Sequence, residues 1–256
     1  MMAELITLRI ECLALSRLCY GKVDLQVITA QNRLSEAYLL SGLDKQAVEH
    51  ATQVLVRARE PDPKDPNSTK YPLIVMQASH TIGRALTKLG QYEQAKVHLR
   101  EALTIGKKSK QETPWELCKI LGSLAQMHVH RNEHDKVVEV MKKVEEYKLK
   151  QLEMEGAKDA KKTDMIDTYM ELARAFYNTG DYETCKNHVE EILKIIDDEE
   201  IIDDEEINLL NWKKADASCL LASSLKKTEA NSSQLLEHYE QALKIYRGLE
   251  EKLVDA

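Results

Sequence analysis

Apolar and small residues recur along the chain with the spacing of two short helices joined by a turn. The clearest copy is Met76–Lys107, where Gly90 separates two stretches with apolar residues three and four positions apart. That spacing places apolar side chains on one face of a helix, and glycine permits the positive φ that a tight turn requires. We expect two antiparallel helices that cross most closely at the small residues Gly83 and Ala95. The apolar residues beside this crossing are Leu86, Leu99 and Leu103.

The same pattern occurs five times. Its copies align on residues 35, 83, 125, 173 and 222, so successive copies are 48, 42, 48 and 49 residues apart. One such helix pair exposes an apolar face that the next pair must cover, which favours a continuous stack. The pattern resembles the tetratricopeptide repeat, which is usually about 34 residues long, and the wider spacing resembles the kinesin light chain form of that repeat. We therefore predict an all-α fold, a tetratricopeptide repeat right-handed α-solenoid of antiparallel helix pairs.

We expect one domain built from this stack. Residues 1–22 match the second helix of a repeat without its first, and the array follows over residues 23–253. Four prolines predict a helix-breaking loop at 60–72, and an acidic linker is expected at 197–206. The incomplete first repeat leaves an apolar flank, which we expect another chain, or a longer form of this one, to cover. The five pairs are expected at approximately 24–60, 72–108, 114–156, 163–197 and 206–253.

The net charge of −7 arises from one short segment. Residues 197–206 carry eight acidic and no basic side chains, and without them 36 basic residues face 35 acidic ones. This balance argues against the basic surface that nucleic-acid binding requires. The segment is either a solvated connector or a docking strip for a basic surface of a partner, and it lacks the interleaved glycine of a calcium loop. The strip consists of Asp197, Asp198, Glu199, Glu200, Asp203, Asp204, Glu205 and Glu206.

The cysteines and the N-terminal run indicate a cytoplasmic protein. Five cysteines without a C-x-x-C spacing are typical of reduced thiols used as small apolar residues. The apolar N-terminal run is interrupted by Glu4, Arg9 and Glu11, so we predict neither a signal peptide nor a membrane span.

No residue set typical of catalysis is present in the sequence. The glycines are assigned to helix turns, ends and crossings, which leaves none for a phosphate-binding loop. His128, His130 and His134 form the densest group of metal-ligand side chains. Residues two apart on a helix point to different faces, so we interpret these histidines as polar turn and groove residues. The sequence predicts no enzyme, no cofactor and no metal, and favours a protein that binds other proteins.

Stacked pairs form a concave groove lined by the exposed face of each first helix, a shape that suits an extended or helical peptide. Arg84, Lys119 and Arg174 are expected to pair with carboxylates of a ligand. Leu39, His130 and Met170 are counted on the same face. An ordinary solvated side chain is the alternative for any single position. The candidates are Asn32, Glu36, His80, Arg84, Lys88, Lys119, Gln126, Asp167, Arg174 and Tyr177.

Four N-terminal segments carry a more specific likeness, namely Glu11–Gly21, Arg33–Leu39, Gln46–Ala47 and His50–Ala51. These segments resemble the tetratricopeptide repeat protein 23 family, including its 23-like member. The duplicated acidic hexapeptide over residues 195–206 departs from the family pattern. The resemblance implies a non-enzymatic protein of the cilium, located in the axoneme, at the ciliary base or in ciliary trafficking and signalling assemblies.

Two functions remain open at this point. The first is a ciliary or cytoskeletal scaffold, and the second is a cargo or signalling adaptor that binds short acidic peptide motifs in the groove, as kinesin light chain does. Charge reversal at Arg84 and Arg174 distinguishes them. It removes the binding of an adaptor and spares a scaffold that is held by its ends and outer face.

Overall fold

The computed structural model describes residues 2–21, 24–59, 61–62, 65–69, 71–108, 114–155, 162–198, 204–228 and 232–254. Within these ranges the chain forms eleven α-helices and one 3-10 helix, Lys162–Met165. The predicted all-α class is confirmed. The α-helices are α1 (Met2–Tyr20), α2 (Leu25–Leu40), α3 (Asp44–Ala58), α4 (Pro72–Lys88), α5 (Tyr92–Lys108), α6 (Pro114–His130), α7 (His134–Glu155), α8 (Ile166–Thr179), α9 (Tyr182–Asp198), α10 (Asp204–Lys227) and α11 (Ser232–Val254).

The proline-rich segment before α4 differs from the loop that the sequence predicts. It contains a short antiparallel hairpin of β1 (Pro61–Asp62) and β2 (Asp65–Thr69), with Pro61 opposite Thr69 and Asp62 opposite Asp65. Proline prevents a helix here, but it is compatible with the edge of a two-stranded ribbon, where one side of each strand needs no backbone partner.

The chain divides into two compact units, Met1–Asn132 and Glu133–Ala256, where the sequence led us to expect one domain. In a repeat array each helix contacts only its neighbours, so the repeat pattern does not locate such a division. The boundary lies between α6 and α7, inside the span predicted as the third pair. The pairing of these two helices therefore stays a prediction.

In unit 1, α1 contacts α2, and the pairs α2–α3 and α4–α5 contact one another through α3 and α4. The helices α2, α4 and α6 also contact in succession, and we call them the first-helix layer of unit 1. Groups of buried apolar residues in the described part of the unit join neighbouring helices. They are Leu13, Val27 and Leu34; Leu39, Ala47 and Ala85; and Met76, Ala102 and Ile120.

The crossing of α4 and α5 is as close as the sequence predicts. A Cβ atom added to Gly83 would lie 2.6 Å from Cγ of Leu99 and 3.3 Å from the carbonyl oxygen of Ala95. Leu99 and Ala95 are fully buried. Only a residue without a side chain fits at Gly83 while Leu99 keeps its place.

Left-handed residues close the turns that follow the first helices. Gly90 after α4 has φ of 75°, and Gly180 after α8 has φ of 87°. After α6, Asn132 takes this role with φ of 56°. Asparagine is among the few residues other than glycine that adopt this conformation at modest cost. The turns after α4 and α8 bring α5 back against α4 and α9 back against α8.

In unit 2, α7 contacts α8, α8 contacts α9, α9 contacts α10 and α10 contacts α11, while α8 also contacts α10. Cys185 of α9 is fully buried, and burial raises the pKa of its thiol to about 11. Cys185 is a free thiol that serves as a small core residue, as the sequence predicts.

Candidate protein-binding face

A hydrogen-bonded group centred on Asn32 crosses from α2 to α4 in the first-helix layer. Nδ2 of Asn32 donates to Oε1 of Glu36 at 3.1 Å and to Oε1 of Gln77 at 3.2 Å. Asn32 is only 2% exposed, and its Oδ1 has no hydrogen-bond partner among the residues that the structure describes. A buried acceptor without a donor costs about 1–3 kcal/mol.

Glu36 lies half-buried in α2 among basic side chains. Burial raises the pKa of this carboxyl, and the positive charges of Arg33, Arg9 and Arg84 oppose the increase. Within the described part of the chain, no carboxylate lies at ion-pair distance from the guanidinium of Arg84. The first-helix layer therefore presents a positive charge, that of Arg84, which forms no ion pair with the acidic groups of the layer.

His80 connects α4 to α6. Its Nε2 lies 2.8 Å from Oγ of Ser123. Burial, with smaller effects of Arg84 and Lys119, lowers the pKa of His80 to about 4. The ring is consequently neutral at pH 7 and adds hydrogen bonding, but no charge, to the layer.

Two of the predicted lysines of unit 1 already have partners. Nζ of Lys88 lies 3.4 Å from the carbonyl oxygen of Leu39 and 3.8 Å from Oδ1 of Asp44. Nζ of Lys119 lies 3.2 Å from Oε1 of Glu116 on its own helix. Gln126 is exposed on α6. The pair of Lys119 and Glu116 is exposed on both sides, and such pairs exchange readily with a competing ligand because they contribute little energy.

Two of the predicted residues of unit 2, Asp167 and Arg174, pair with side chains of α10. Oδ1 of Asp167 lies 2.8 Å from Nζ of Lys213. Arg174 lies 3.5 Å from carboxylate oxygens of both Glu171 and Asp216. Arg174, which the sequence predicts to pair with a ligand, is shared between two acidic side chains of this chain, in contrast to Arg84.

Three other predicted groove residues have mainly packing contacts. The ring of Tyr177 lies edge-on to Tyr182, with centroids 5.5 Å apart. Leu39 and Met170 are buried, at 1% and 7% exposure. The repeat pattern gives the face of a first helix, but it does not show which residues on that face a neighbouring helix covers.

The structure also adds residues to this face that the sequence reasoning missed. Arg9 and Arg33 act on Glu36, Gln77 accepts from Asn32, and Ser123 contacts His80. Arg33 precedes Glu36 by three residues, a spacing that places both on one side of α2 and was available as a signal. Arg9 lies on α1, and no pattern within one helix pair connects it to α2.

The structure describes only some residues of the acidic strip. Asp197 and Asp198 end α9, and Asp197 pairs with Lys214 of α10. Residues 204–206 form the start of α10, whereas Glu199, Glu200 and Asp203 lie outside the described residues. The docking role of the strip stays a prediction.

Among the residues that the structure describes, no group of three histidine, cysteine, aspartate or glutamate side chains could hold a metal ion. In the same part of the chain, no helix combines the length and the apolar character needed to cross a bilayer. The ring of His130, one of the three clustered histidines, stacks on Tyr92 with centroids 6.5 Å apart.

Comparisons with known proteins agree with the repeat pattern. The tetratricopeptide repeat family model matches residues 75–109, which contain the clearest copy of the pattern. Tetratricopeptide repeat protein 23 of Homo sapiens is 33% identical over 38% of this chain and 22% of its own length. The protein of the same name from Mus musculus is 27% identical over 70% of this chain and 37% of its own length. The chain thus spans well under half of these relatives.

Solved structures with the same fold cover most of the chain. The TPR-like repeats assigned to a kinesin light chain of Podosopora anserina give a TM-score of 0.63 at 19% identity, covering 86% of this chain and 94% of that one. BtubC from P. vanneervenii gives a TM-score of 0.69 at 16% identity, covering 97% of this chain and 92% of that one. At these identities the likeness concerns the fold.

Proposed function

We propose that this chain, a tetratricopeptide repeat α-solenoid, binds a protein partner by holding an acidic segment across the first-helix layer of unit 1. Repeats of this type indicate a protein–protein interaction scaffold, and the fold is typically non-enzymatic. The proposal of an acidic ligand rests on Arg84. Its guanidinium has no acidic partner at ion-pair distance among the described residues. Arginine forms its strongest contacts with carboxylates and phosphates.

The polar groups around Arg84 support an extended ligand. Glu36 supplies a half-buried carboxyl. The backbone N–H groups of a peptide can donate to this carboxyl, while its acidic side chains neutralise Arg84. Both requirements fall within one layer of three neighbouring helices.

Peptide selection tests this proposal. Random peptides displayed on phage and selected on the chain should be enriched in aspartate and glutamate. Arg84→Glu should reduce the affinity for a selected acidic peptide by at least about tenfold, the loss of one charge-assisted contact with added repulsion. Arg174→Glu should have a much smaller effect, because Arg174 is already shared by Glu171 and Asp216. Peptides without acidic enrichment, or equal effects of the two reversals, would contradict the proposal.

A second candidate function, a scaffold joined to another chain through α1, is favoured by the outward face of that helix. Leu8, Leu15 and Leu18 are 58%, 60% and 82% exposed and lie on one side of α1. A solvent-facing apolar row of this size is typical of a protein contact. Substitution of Leu15 and Leu18 by lysine would remove such a contact and leave Arg84-dependent peptide binding intact.

We further propose that the partner belongs to a ciliary assembly. The similarity to tetratricopeptide repeat protein 23, and what that family resemblance implies, support this setting. Proximity labelling with the tagged chain in ciliated cells should mark ciliary proteins above a cytosolic control. Labelling confined to cytosolic chaperones would count against the ciliary setting.

A further inference from the structure

The first and the last helix of the described chain each carry a row of exposed apolar side chains. The α1 row consists of Leu8, Leu15 and Leu18. The α11 row has side chains that are 57%, 37% and 48% exposed, namely Leu236, Tyr239 and Leu243. Successive members of the α11 row are three and four residues apart, so they share one side of the helix. Among the described elements, α1 packs mainly on α2 and α11 mainly on α10.

Neither row lies on the side through which its helix packs within the chain. Leu13 marks the packed side of α1, since it is buried against Val27 and Leu34. Leu15 lies two residues further on, and residues two apart point to different sides of a helix. On α11 the packed side carries Ala242, which is 1% exposed. Both rows therefore face solvent, and apolar rows of this kind favour contact with another molecule.

The charged residues in line with the two rows are opposite in sign. Glu11 precedes Leu15 by four residues on α1, and Arg247 follows Leu243 by four residues on α11. Both charged side chains are exposed, and neither has an ion-pair partner in the described part of the chain. An antiparallel packing that aligns the two leucines therefore also brings the carboxylate of Glu11 to the guanidinium of Arg247.

A symmetric contact between the α1 rows of two copies is less favourable. The charged residues in line with this row are Glu4 and Glu11, which are both acidic. Arg17 lies two residues from Leu15 and so points to another side of α1. Two α1 rows would bring like charges together, which costs free energy. The α11 row supplies the basic residue that the α1 row lacks.

We propose that the chain assembles head to tail, with the α1 row of one copy packed antiparallel on the α11 row of the next. This inference rests on the second candidate function above, because it identifies the chain that joins α1 as a second copy. In the alignment that pairs Leu15 with Leu243, Leu18 lies beside Tyr239. A contact between two different surfaces leaves one of each kind free, so the assembly grows into an open chain or closes into a ring.

Two single substitutions and their mixture test this assembly by analytical ultracentrifugation. The wild-type chain should show an average mass that rises above the monomer mass as its concentration is raised. Leu15→Lys and Leu243→Lys each remove one of the two surfaces, so each variant alone should stay monomeric. Their equimolar mixture should form a dimer and nothing larger, because each variant keeps the surface that the other lacks. Val97→Lys, at an exposed position of α5, should assemble as the wild type does.

An exchange of charges tests the antiparallel alignment. Glu11→Arg and Arg247→Glu should each raise the dissociation constant of self-association about tenfold, because each sets like charges opposite one another. The chain that carries both substitutions should recover most of the lost affinity, since the pair is restored with its signs reversed. No recovery in the double variant would overturn the alignment, and the inference with it.

A wild-type chain that stays monomeric up to its limit of solubility would also overturn the inference, as would assembly that survives Leu243→Lys. Circular dichroism of each variant establishes that the helices remain folded. If the wild-type chain is monomeric while lysine at positions 15 and 18 removes the binding of a different protein, the second candidate function stands and this inference fails. If neither kind of association depends on the α1 row, both fail.

Discussion

Gly83 occupies the tightest contact among the described glycines at the crossing of α4 and α5. Because a Cβ atom there would approach Cγ of the fully buried Leu99 to 2.6 Å, Gly83→Ala should destabilise the protein. Overpacking of this kind typically costs about 1–3 kcal/mol. Chemical denaturation measures the loss. Gly122→Ala is the matched control, because nothing lies within 4 Å of a Cβ added inside α6, and helix propensity predicts a gain of up to about 1 kcal/mol.

His80 should make the protein less stable in acid. Its pKa of about 4 in the folded protein lies below the ordinary value of 6.5, so the unfolded chain binds more protons between these pH values. Stability therefore rises with pH through this window and is lost as the pH falls from 6.5 towards 4. His80→Gln should reduce this acid sensitivity in denaturation curves recorded across the window. An NMR titration that places the His80 pKa near 6.5 would contradict the prediction.

Some residue contacts could be predicted from the sequence and others could not. Gly83 and Ala95 were predictable, because a short contact at a helix crossing requires small residues in both helices. The burial of Asn32 was not, because it depends on Gln77 of α4, which lies 45 residues away. Likewise the ion pair between Asp167 and Lys213 joins two helices whose relative rotation the spacing does not specify. The pattern indicates a face, and side-chain contacts between helices decide which residues on it are available.

At the scale of helices and turns, the hydrophobic spacing predicts the helices well, because helical periodicity and turn glycines depend on residues that are close in the sequence. The hairpin of β1 and β2 was missed, since its prolines and polar residues resemble those of any loop. The division into two units has no counterpart in the pattern, because each helix pair carries the same spacing on either side of it.

The orientation of α1 can be checked with two leucines. Leu13 is buried against Val27 and Leu34, whereas Leu15 faces solvent. Leu13→Ala should destabilise the protein by about 2 kcal/mol or more, as expected for loss of a buried leucine side chain. Leu15→Ala should change stability by less than about 0.5 kcal/mol. Equal effects in thermal or chemical denaturation would show that the outward face of α1 is assigned wrongly.

On the scale of the whole molecule, charge is distributed unevenly. Eight acidic residues fall within 197–206, and the rest of the chain is nearly neutral. Among the predicted groove residues, the unpaired Arg84 belongs to unit 1, whereas Asp167 and Arg174 of unit 2 are engaged internally. This contrast leads us to place ligand binding in unit 1 rather than evenly along the array.

Site-specific photocrosslinking in ciliated cells tests that placement most directly. Gln126 is exposed and occupies in α6 the repeat position of Arg84, while Val97 is exposed on α5. With a benzophenone amino acid at position 126, the chain should form a crosslink to a partner within an acidic segment, and Arg84→Glu should abolish it. The same group at position 97 should not give this product. A crosslink from position 97 alone, or one from position 126 that survives Arg84→Glu, would contradict binding at the first-helix layer of unit 1.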